Sequence, residues 1–385
     1  MSKDFTIGVE EEYQLVDPAT LDLRSCACSV IEGDWSGDIR KELQESTIEI
    51  GTPVAGSSRE VRSELARLRT QASVAAQAED LRIVAAGLHP FADWHSHVLT
   101  AGERYARMGQ TYGRIARDEH NYGMHVHVAV SDDRIRLLNR VRRYVPHLVC
   151  LACSSPFHEG SDTGYASFRM VLWRRWPGAG VPPRLEDERE YRRFVDAQLR
   201  AGVLGDERNL YWMIRPHPAY PTLEFRMCDV CPTLDDAVAI AGLARTIVYA
   251  AAQGMLTDGR AGEWSDAALD AALSDDTWRA SRYGLDAQLI ETTTIGGHES
   301  ARDAIRRLGD VLAPAAADIG ETCALDAVAR ICERGNAADR MRALQGEERD
   351  LRALVGWLAR ETLVGTGMDR RGGQRPEEQA AWRVA

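Results

Sequence analysis

Four segments of the chain alternate between apolar and polar residues, which is the pattern of strands with two unlike faces. They span residues 5–16, 42–50, 122–130 and 221–230. Residues 5–16 and 20–31 together predict a hairpin, because Asp17-Pro18-Ala19-Thr20 between them is a turn sequence. Two further strands are predicted, a short apolar one over residues 81–87 and another over residues 209–216.

The remaining periodicity is helical. Ser57 and Glu60 form a capping box for a helix that runs to about residue 79. The other predicted helices span residues 133–153, 186–202 and 233–254, and only helical patterns occur from about residue 264 onward. Because the strands are often joined through hairpins, we predict an α+β fold whose mainly antiparallel sheet is flanked by helices, with a helical C-terminal third. Residues 366–385, rich in Gly and Arg, are expected to be a mobile tail.

The charge balance argues against two classes of partner. The formal net charge is −11, and the 47 Lys and Arg are spread along the chain. We therefore expect neither nucleic acid nor a membrane surface as a partner. No apolar stretch approaches the roughly 20 residues of a membrane span. The start lacks the apolar region of a secretory signal, so a cytoplasmic protein is expected.

The eight cysteines are expected to be thiols in such a compartment. Cys150/Cys153 and Cys228/Cys231 have CxxC spacing, but roughly 75 residues separate the two pairs, which is far beyond the spacing of zinc ribbons or fingers. We therefore do not favour a structural zinc site.

The polar faces of the four alternating strands carry an unusual set of residues. Lysine is absent from them, and they present Glu10 and Glu12, Glu45 and Glu49, His125 and His127, and Glu224 and Arg226. Carboxylates gathered on one sheet surface repel each other unless cations neutralise them. Oxygen ligands with an occasional imidazole suit Mg²⁺ or Mn²⁺. The sequence thus predicts a divalent-metal site on this sheet.

Individual residues keep other interpretations. Each strand taken alone could present a solvated face. Glu11 falls on the apolar face and is expected to pair with an arginine. Glu45 could be an ion-pair partner instead of a ligand, and His127 could be hydrogen-bonded beside the site. Glu42 has the wrong parity to share a face with Glu49, unless the strand starts later or carries a bulge.

Neither GxxxxGK[ST] nor GxGxxG after a strand occurs, so metals and arginines would have to hold the phosphates of any nucleotide. Residues 154–178 combine turn residues with Arg169, Arg174 and Arg175 among aromatic residues. Arginine can clamp a carboxylate or phosphate with two hydrogen bonds. The alternative is an aromatic packing loop whose arginines face solvent, which fits Arg174 and Arg175 better than Arg169.

Several motifs together resemble the glutamate–cysteine ligase type 2 family, also called bacterial carboxylate-amine ligases, of the glutamine-synthetase-like superfamily. The motifs are "GVEEEYQLVD", "ELQESTIEIGTPV", "GLHPFADW", "GMHVHVAV", "SSPFHEGSDTGYASFRMVLWRRWP", "YPTLEFRMCDV" and "WRASRYGLDA". They occur in the family's order between about residues 5 and 365. The resemblance implies one catalytic domain over residues 1–365, with a curved antiparallel sheet forming a funnel that holds Mg²⁺ and ATP.

The resemblance also assigns roles to residues. It implies that the metal ligands are Glu10, Glu12, Glu42, Glu49, His125 and Glu224. Arg169 and Arg226 would bind phosphate or the acceptor carboxylate and act in catalysis, and Glu45 and His127 would lie in the substrate and ATP site. The implied reaction joins the γ-carboxyl of glutamate to the amine of cysteine through an acyl phosphate, and the implied assembly is a homodimer.

Two other functions remain possible from the sequence. A metal-dependent hydrolase could use the pair His125 and His127, although His217, between two prolines, is poorly placed as its further ligand. A non-catalytic relative could bind an amino acid or a nucleotide as a sensor. The intact Glu10, Glu12, Glu49 and Glu224 argue against lost catalysis.

Overall fold

A computed structural model describes residues 5–32, 39–93, 98–256, 264–290, 297–346 and 350–368. Strands and helices are mixed along most of its length. The strands are β1 (Ile7–Val16), β2 (Ile39–Lys41), β3 (Thr47–Gly51), β4 (Arg82–Val84), β5 (Gly123–Ala129), β6 (Phe157–His158), β7 (Ser161–Asp162), β8 (Ile214–Pro216), β9 (Thr222–Asp229), β10 (Gln288–Ile290) and β11 (His298–Ser300).

The helices surround the sheet and make up most of the C-terminal third. They are α1 (Ala27–Glu32), α2 (Ser58–Ala78), α3 (Glu103–Tyr112), α4 (Arg114–Arg117), α5 (Arg134–Val141), α6 (Val145–Ala152), α7 (Phe168–Trp173), α8 (Glu188–Arg200), α9 (Leu234–Ala252), α10 (Asp266–Tyr283), α11 (Ala301–Ile319), α12 (Thr322–Arg334), α13 (Ala337–Gln345) and α14 (Leu351–Glu361). Single 3₁₀ turns occur at Arg142–Tyr144, Glu207–Asn209 and Gly284–Asp286.

The main sheet of the described residues has seven strands in the order β2-β3-β1-β5-β9-β8, with β4 also paired to β1. Every one of these pairs is antiparallel, which confirms the predicted α+β fold. β1 is central, since β3 pairs with it along one edge and β5 and β4 follow each other along the other edge.

The apolar face of the sheet is the core. Val9, Ile48, Val126 and Phe225 are buried on it, as the alternation predicted. α2, α6 and α9 pack against the sheet. The predicted cap of α2 is present, because the Ser57 side chain accepts a hydrogen bond from the Glu60 N–H.

Three local predictions were wrong. Residues 20–31 do not form a second hairpin strand: Leu23 alone bridges to Val16, and the chain then enters α1. The backbone N–H groups of Ala27 and Cys28 donate to the carbonyl and the carboxylate of Glu45, so a distant residue caps this helix. The prediction of helices alone from about residue 264 onward was also wrong, because β10 and β11 form a small hairpin there. Each of these strands has three residues, which is too short to show alternation.

The third wrong prediction concerns β9, which carries a bulge. Its register pairs Phe225 with Val126 but Cys228 with Met124, so one extra residue lies between the two pairs. Strict alternation predicts that Cys228 shares the polar face with Glu224 and Arg226, and the bulge instead moves Cys228 to the apolar face. Among the described residues, no helix is long and apolar enough to cross a membrane. Most of the predicted tail, residues 369–385, lies outside the described residues.

Candidate active site

The strand register places the predicted polar residues directly opposite one another. Glu12 lies opposite Glu49 on β3. Glu10 lies opposite His125 on β5. His127 lies opposite Glu224 on β9. Residues paired across antiparallel strands share a face of the sheet, so the polar faces of four strands meet on one surface.

Glu42 reaches this surface because the predicted strand over 42–50 is interrupted. β3 begins only at Thr47, and β2 ends at Lys41, so Glu42 lies in the connection between them. Its Oε2 accepts a hydrogen bond from the Leu43 N–H at 2.7 Å. The interruption removes the constraint of strand parity, and Glu42 joins Glu12 and Glu49 on the same side of the sheet.

Three groups of side chains on this surface could hold a divalent cation. Within each group, one ligand atom per residue lies within 4.8 Å of the others. They are the Glu12 group (Glu12, Glu42, Glu49), the His125 group (Glu10, Glu49, His125) and the His127 group (Glu10, His127, Glu224). Glu10 and Glu49 are each shared by two groups, so the groups form one continuous row of ligands.

The carboxylates of the Glu12 group are held in an environment that disfavours their charge. Burial and the charge of Glu42 raise the pKa of Glu12 to about 8. Burial and the nearby Glu10, Glu42 and Glu12 raise the pKa of Glu49 well above its usual range. Burial also raises the pKa of Glu42. Buried carboxylates that repel one another in this way are suited to a cation, which would neutralise them.

His125 and His127 lower the pKa of a neighbouring carboxylate instead of raising it. Burial would raise the pKa of Glu10, but His125 and His127 outweigh it and hold that pKa below its usual range. Nδ1 of His125 and Nε2 of His127 lie 3.3 Å and 3.4 Å from Oε2 of Glu10. Burial and Arg226 lower the pKa of His125 to about 4, so its imidazole is neutral near pH 7, as a metal ligand must be.

Glu224 is clamped between two arginines. Nε of Arg215, which lies opposite it on β8, donates to Oε2 at 2.6 Å, and Arg226 donates to Oε1. Burial alone would raise the pKa of Glu224, but Arg226 and Arg215 together hold it well below the usual range. Glu224 is therefore an anion across the whole physiological pH range.

Arg169 lies on α7 and is almost fully buried, with 1% of its surface exposed. Asp229 holds the segments around it, accepting hydrogen bonds from Ser154 N–H at 2.9 Å, Ser155 Oγ at 2.7 Å and Ser167 Oγ at 2.8 Å. Ser167 in turn caps α7. Nε of Arg169 is buried without a hydrogen-bond partner among the described residues, and so is Nε of Arg226. Buried donors of this kind are expected to have a ligand.

The glutamates of the three groups, His125 and the three arginines Arg169, Arg215 and Arg226 line a cavity of about 420 Å³, whereas His127 is not among its lining residues. Its floor is the polar face of the sheet, and its walls come from α3, α7 and the segments before β5 and β9. It contains six glutamates and six arginines: Glu10, Glu12, Glu42, Glu49, Glu119, Glu224, Arg40, Arg104, Arg169, Arg208, Arg215 and Arg226. A cavity with clustered carboxylates beside arginines can hold cations and polyanions together.

Some predicted residues lie elsewhere. Glu45 does not line the cavity, and its carboxylate contacts the N–H and Sγ of Cys28 at 3.3 Å and 3.0 Å. Arg174 and Arg175 do not line it either, in agreement with the solvent-facing alternative for these two. Glu11 forms the expected ion pair, with both carboxylate oxygens bound by Arg69 at 2.6 Å and 2.9 Å.

Other residues that line the cavity were not predicted from the sequence. Arg215 could have been found, since "WMIRP" alternates and lies one strand from Glu224. Glu119 lies outside any predicted strand or helix and gave no signal. Tyr211 lies in the predicted strand over residues 209–216 and Trp176 in the aromatic segment 154–178, but nothing in either pattern distinguished them as lining residues. His217 lines the cavity, with its ring 5.3 Å from that of His127, but it belongs to none of the three ligand groups, in line with its predicted poor placement as a ligand.

The CxxC pairs contribute nothing to this site. Within the described part of the chain, the side chains of all the groups able to hold a cation are Glu and His, and no cysteine is among them. All eight cysteines are free thiols, as expected.

Solved structures with the same fold define its class. The chain is similar to glutamate–cysteine ligase from Francisella tularensis, solved in complex with AMP, with a TM-score of 0.69, 13% identity and coverage of 97% of this chain and 96% of that chain. It is also similar to a bifunctional glutathione synthetase from Pasteurella multocida, with a TM-score of 0.68, 16% identity and coverage of 94% and 53%. The chain therefore has the same fold as these two solved chains.

Sequence relatives show the family of the chain. The model of glutamate-cysteine ligase family 2 matches residues 6–356. A relative from Herpetosiphon aurantiacus is 33% identical over 95% of both chains, and one from Sorangium cellulosum is 35% identical over 94% of this chain and 97% of its own. Both carry the provisional name glutamate–cysteine ligase 2. The chain belongs to glutamate-cysteine ligase family 2, which confirms the resemblance seen in its motifs.

Proposed function

We propose that this protein uses ATP to join a carboxylate to an amine, with the γ-carboxyl of glutamate and the amine of cysteine as the first candidates. The observation that carries the proposal is the row of three ligand groups facing Arg169 and Arg226 across one cavity. Family membership supports it, as does the AMP complex of the F. tularensis ligase.

The three groups suit Mg²⁺ or Mn²⁺. Their ligands are carboxylate oxygens with one imidazole in two of the groups, which is the donor set that hard divalent cations accept. Glu10, Glu12, Glu42, Glu49, His125 and Glu224 would hold the ions, and His127 would complete the third group. When bound, such ions neutralise the charge of the phosphates of ATP.

The arginines supply the remaining positive charge. Arg169 stands beside Glu12, whose pKa its charge lowers, so it borders the metal row. Arg226 stands beside Glu224 at the other end of that row. With Nε of each arginine free of other partners, both guanidiniums can bind the oxygens of a transferring phosphoryl group or of a substrate carboxylate.

The reaction then has two steps. A carboxylate oxygen of the acid attacks the γ-phosphorus of ATP, and the bond to the bridging oxygen breaks, so an acyl phosphate and ADP form. The neutral amine next attacks the carbonyl carbon, phosphate leaves, and the amine loses a proton. Arg169 and Arg226 stabilise the negative charge of the phosphoryl oxygens in the first step and of the leaving phosphate in the second.

The hydrolase alternative has less support. His217 near His127 gives it a third imidazole, but His217 belongs to none of the three ligand groups, and the family is one of ligases. ATP dependence separates the two functions, since a hydrolase needs none. A homodimer and a single domain over residues 1–365 also remain proposals, which light scattering and limited proteolysis would test.

Phosphate release from ATP with Mg²⁺, L-glutamate and a panel of amines, cysteine first, tests the ligase. We expect release to require both an acid and an amine, and to disappear in Glu10→Gln and Glu224→Gln. Glu64→Gln is the matched control, because Glu64 lies on α2, outside the cavity. If no acid and amine pair gives phosphate, while the protein still binds divalent metal, the ligase proposal fails and the hydrolase becomes the leading function.

A further inference from the structure

Glu119 is a cavity carboxylate that none of the three ligand groups uses. It lies in the segment between α4 and β5. The side-chain amide of Asn121 donates to Oε1, but Oε2 is buried and completes no hydrogen bond with a described residue. A buried carboxylate oxygen without a donor is costly, so a partner for it is expected.

The surroundings of Glu119 place it beside the metal row but outside it. Glu12, Glu119 and Arg169 line the same cavity, and the positive charge of Arg169 lowers the pKa of both carboxyl groups. Arg169 itself forms an ion pair with Asp229, whose Oδ1 lies 3.8 Å from Nη1 of the guanidinium. On the other side, Glu119 raises the pKa of Tyr211, whose ring lies 4.7 Å from that of Trp176.

This corner of the cavity therefore offers one carboxylate, one guanidinium and an aromatic wall. Burial raises the pKa of Glu119 to about 7, although the indole N–H of Trp176, the charges of Arg175 and Arg169, and the side-chain amide of Asn121 all lower it. An incoming cation would favour its ionised form. A guanidinium lines the same cavity as a carboxylate oxygen that has no close donor in the described part of the chain, and they match the two opposite charges of an amino-acid head group. Aromatic faces add attraction for an ammonium.

We propose that Glu119 binds the ammonium group of an amino-acid substrate. The inference rests on the proposed ligase function and names the substrate class of the same cavity. Both the acid and the amine could bring this ammonium, since L-glutamate and L-cysteine each carry one. Glu119 is thus a specificity-determining residue, which selects α-amino acids over acids or thiols that lack the amino group.

Calorimetric binding measurements with Mg²⁺ and a non-hydrolysable ATP analogue test this proposal. L-glutamate is compared with glutarate, and L-cysteine with 3-mercaptopropionate, the second of each pair lacking the ammonium. The proteins are the wild type, Glu119→Gln and the control Glu64→Gln. We expect the wild type to prefer one amino acid over its analogue by roughly tenfold or more, and Glu119→Gln to lose that preference because the affinity for the amino acid falls.

The comparison with analogues separates recognition from a structural role. If Glu119 only supported the cavity, its substitution would lower the affinity for the amino acid and for the analogue by the same factor. The preference for the amino acid would then survive. A preference lost in the glutamate pair assigns Glu119 to the acid, and one lost in the cysteine pair assigns it to the amine. The proposal is overturned if both preferences survive in Glu119→Gln, or if the wild type has neither. Failure of the ligase function would show separately, as absent phosphate release by the wild type.

Discussion

Gly123 and Arg169 are in such close contact that a methyl group added to Gly123 would overlap Nη2 of the Arg169 guanidinium. The N–H of Gly123 also donates a hydrogen bond to Glu12. One residue without a side chain therefore lets the buried arginine lie beside the metal row. Arg169 itself is held by α7 and by the Asp229 network.

Substituting Gly123→Ala is expected to displace Arg169 and leave the fold intact. Misplacing a catalytic group by about 1 Å can cost on the order of a hundredfold in rate. We expect phosphate release to fall by about that factor while the circular dichroism spectrum stays unchanged. Gly8→Ala is the matched control, because Gly8 pairs with His127 on the neighbouring strand and a Cβ there would lie 4.0 Å from its nearest neighbour. Full activity in Gly123→Ala would contradict the proposed role of Arg169.

Glu11 and Arg69 form a fully buried ion pair, with 0% of either side chain exposed. Arg69 also donates to the carbonyl oxygens of Cys231, Pro232 and Thr362, so it ties β1 to the start of α9 and the end of α14. Removing one partner of such a pair leaves an uncompensated buried charge.

We expect Arg69→Met to lower the free energy of unfolding by roughly 3–5 kcal/mol, measured by urea denaturation. Arg67→Met on the same helix is the control, since its pair with Glu64 is exposed and should contribute less than about 1 kcal/mol. If both substitutions lowered the free energy of unfolding equally, the buried pair would contribute no more to stability than the exposed one.

Strand alternation predicted much of this site, and it failed where the chain leaves regular strands. Glu10, Glu12, His125 and Glu224 were found because period two fixes their face once the sheet is assumed. Glu11 was correctly assigned an arginine partner because a charge on an apolar face needs one. These inferences required only residues within a single strand.

The other residues of the site, and those that were misplaced, depend on contacts between distant segments of the chain. Glu45 caps α1 instead of lining the cavity, and Glu42 reaches the cavity because β3 starts late. Glu119 enters the cavity from an irregular segment. A local pattern has no information about such tertiary contacts, so these positions could not be predicted from periodicity.

The raised pKa of Glu12 makes stability depend on pH when no metal is bound. Its folded pKa of about 8 exceeds the ordinary value of 4.5, so the folded state keeps a proton that the unfolded state has released. Stability should therefore fall as the pH rises towards 8, by at most about 1.4 kcal/mol per pH unit for this group. The lowered pKa of His125 acts in the opposite direction below pH 6.5, so the measurement is made between pH 6.5 and 8. In that window the raised pKa values of Glu49 and Glu119 act in the same direction as that of Glu12.

Urea unfolding across that window in EDTA and in saturating Mg²⁺ measures the effect. We expect a downward slope in EDTA and a smaller one in Mg²⁺, because a bound cation ionises the carboxylates in the folded state. Glu12→Gln should reduce the slope in EDTA. Equal slopes in EDTA and Mg²⁺ would argue against a cation beside Glu12.

The arrangement of the ligand groups predicts that acidic substitutions differ in how many ions they remove. Glu42 belongs to the Glu12 group alone, whereas Glu10 belongs to both the His125 group and the His127 group. Titration with Mn²⁺, followed by electron paramagnetic resonance, should show that Glu42→Gln weakens Mn²⁺ binding at the Glu12 group. Binding at the His125 group and the His127 group should be unchanged. Glu10→Gln should keep only the ion of the Glu12 group, and the control Glu64→Gln should match the wild type. If Glu42→Gln and Glu10→Gln lose the same number of ions, the row holds its metals as one unit, and the division into groups is wrong.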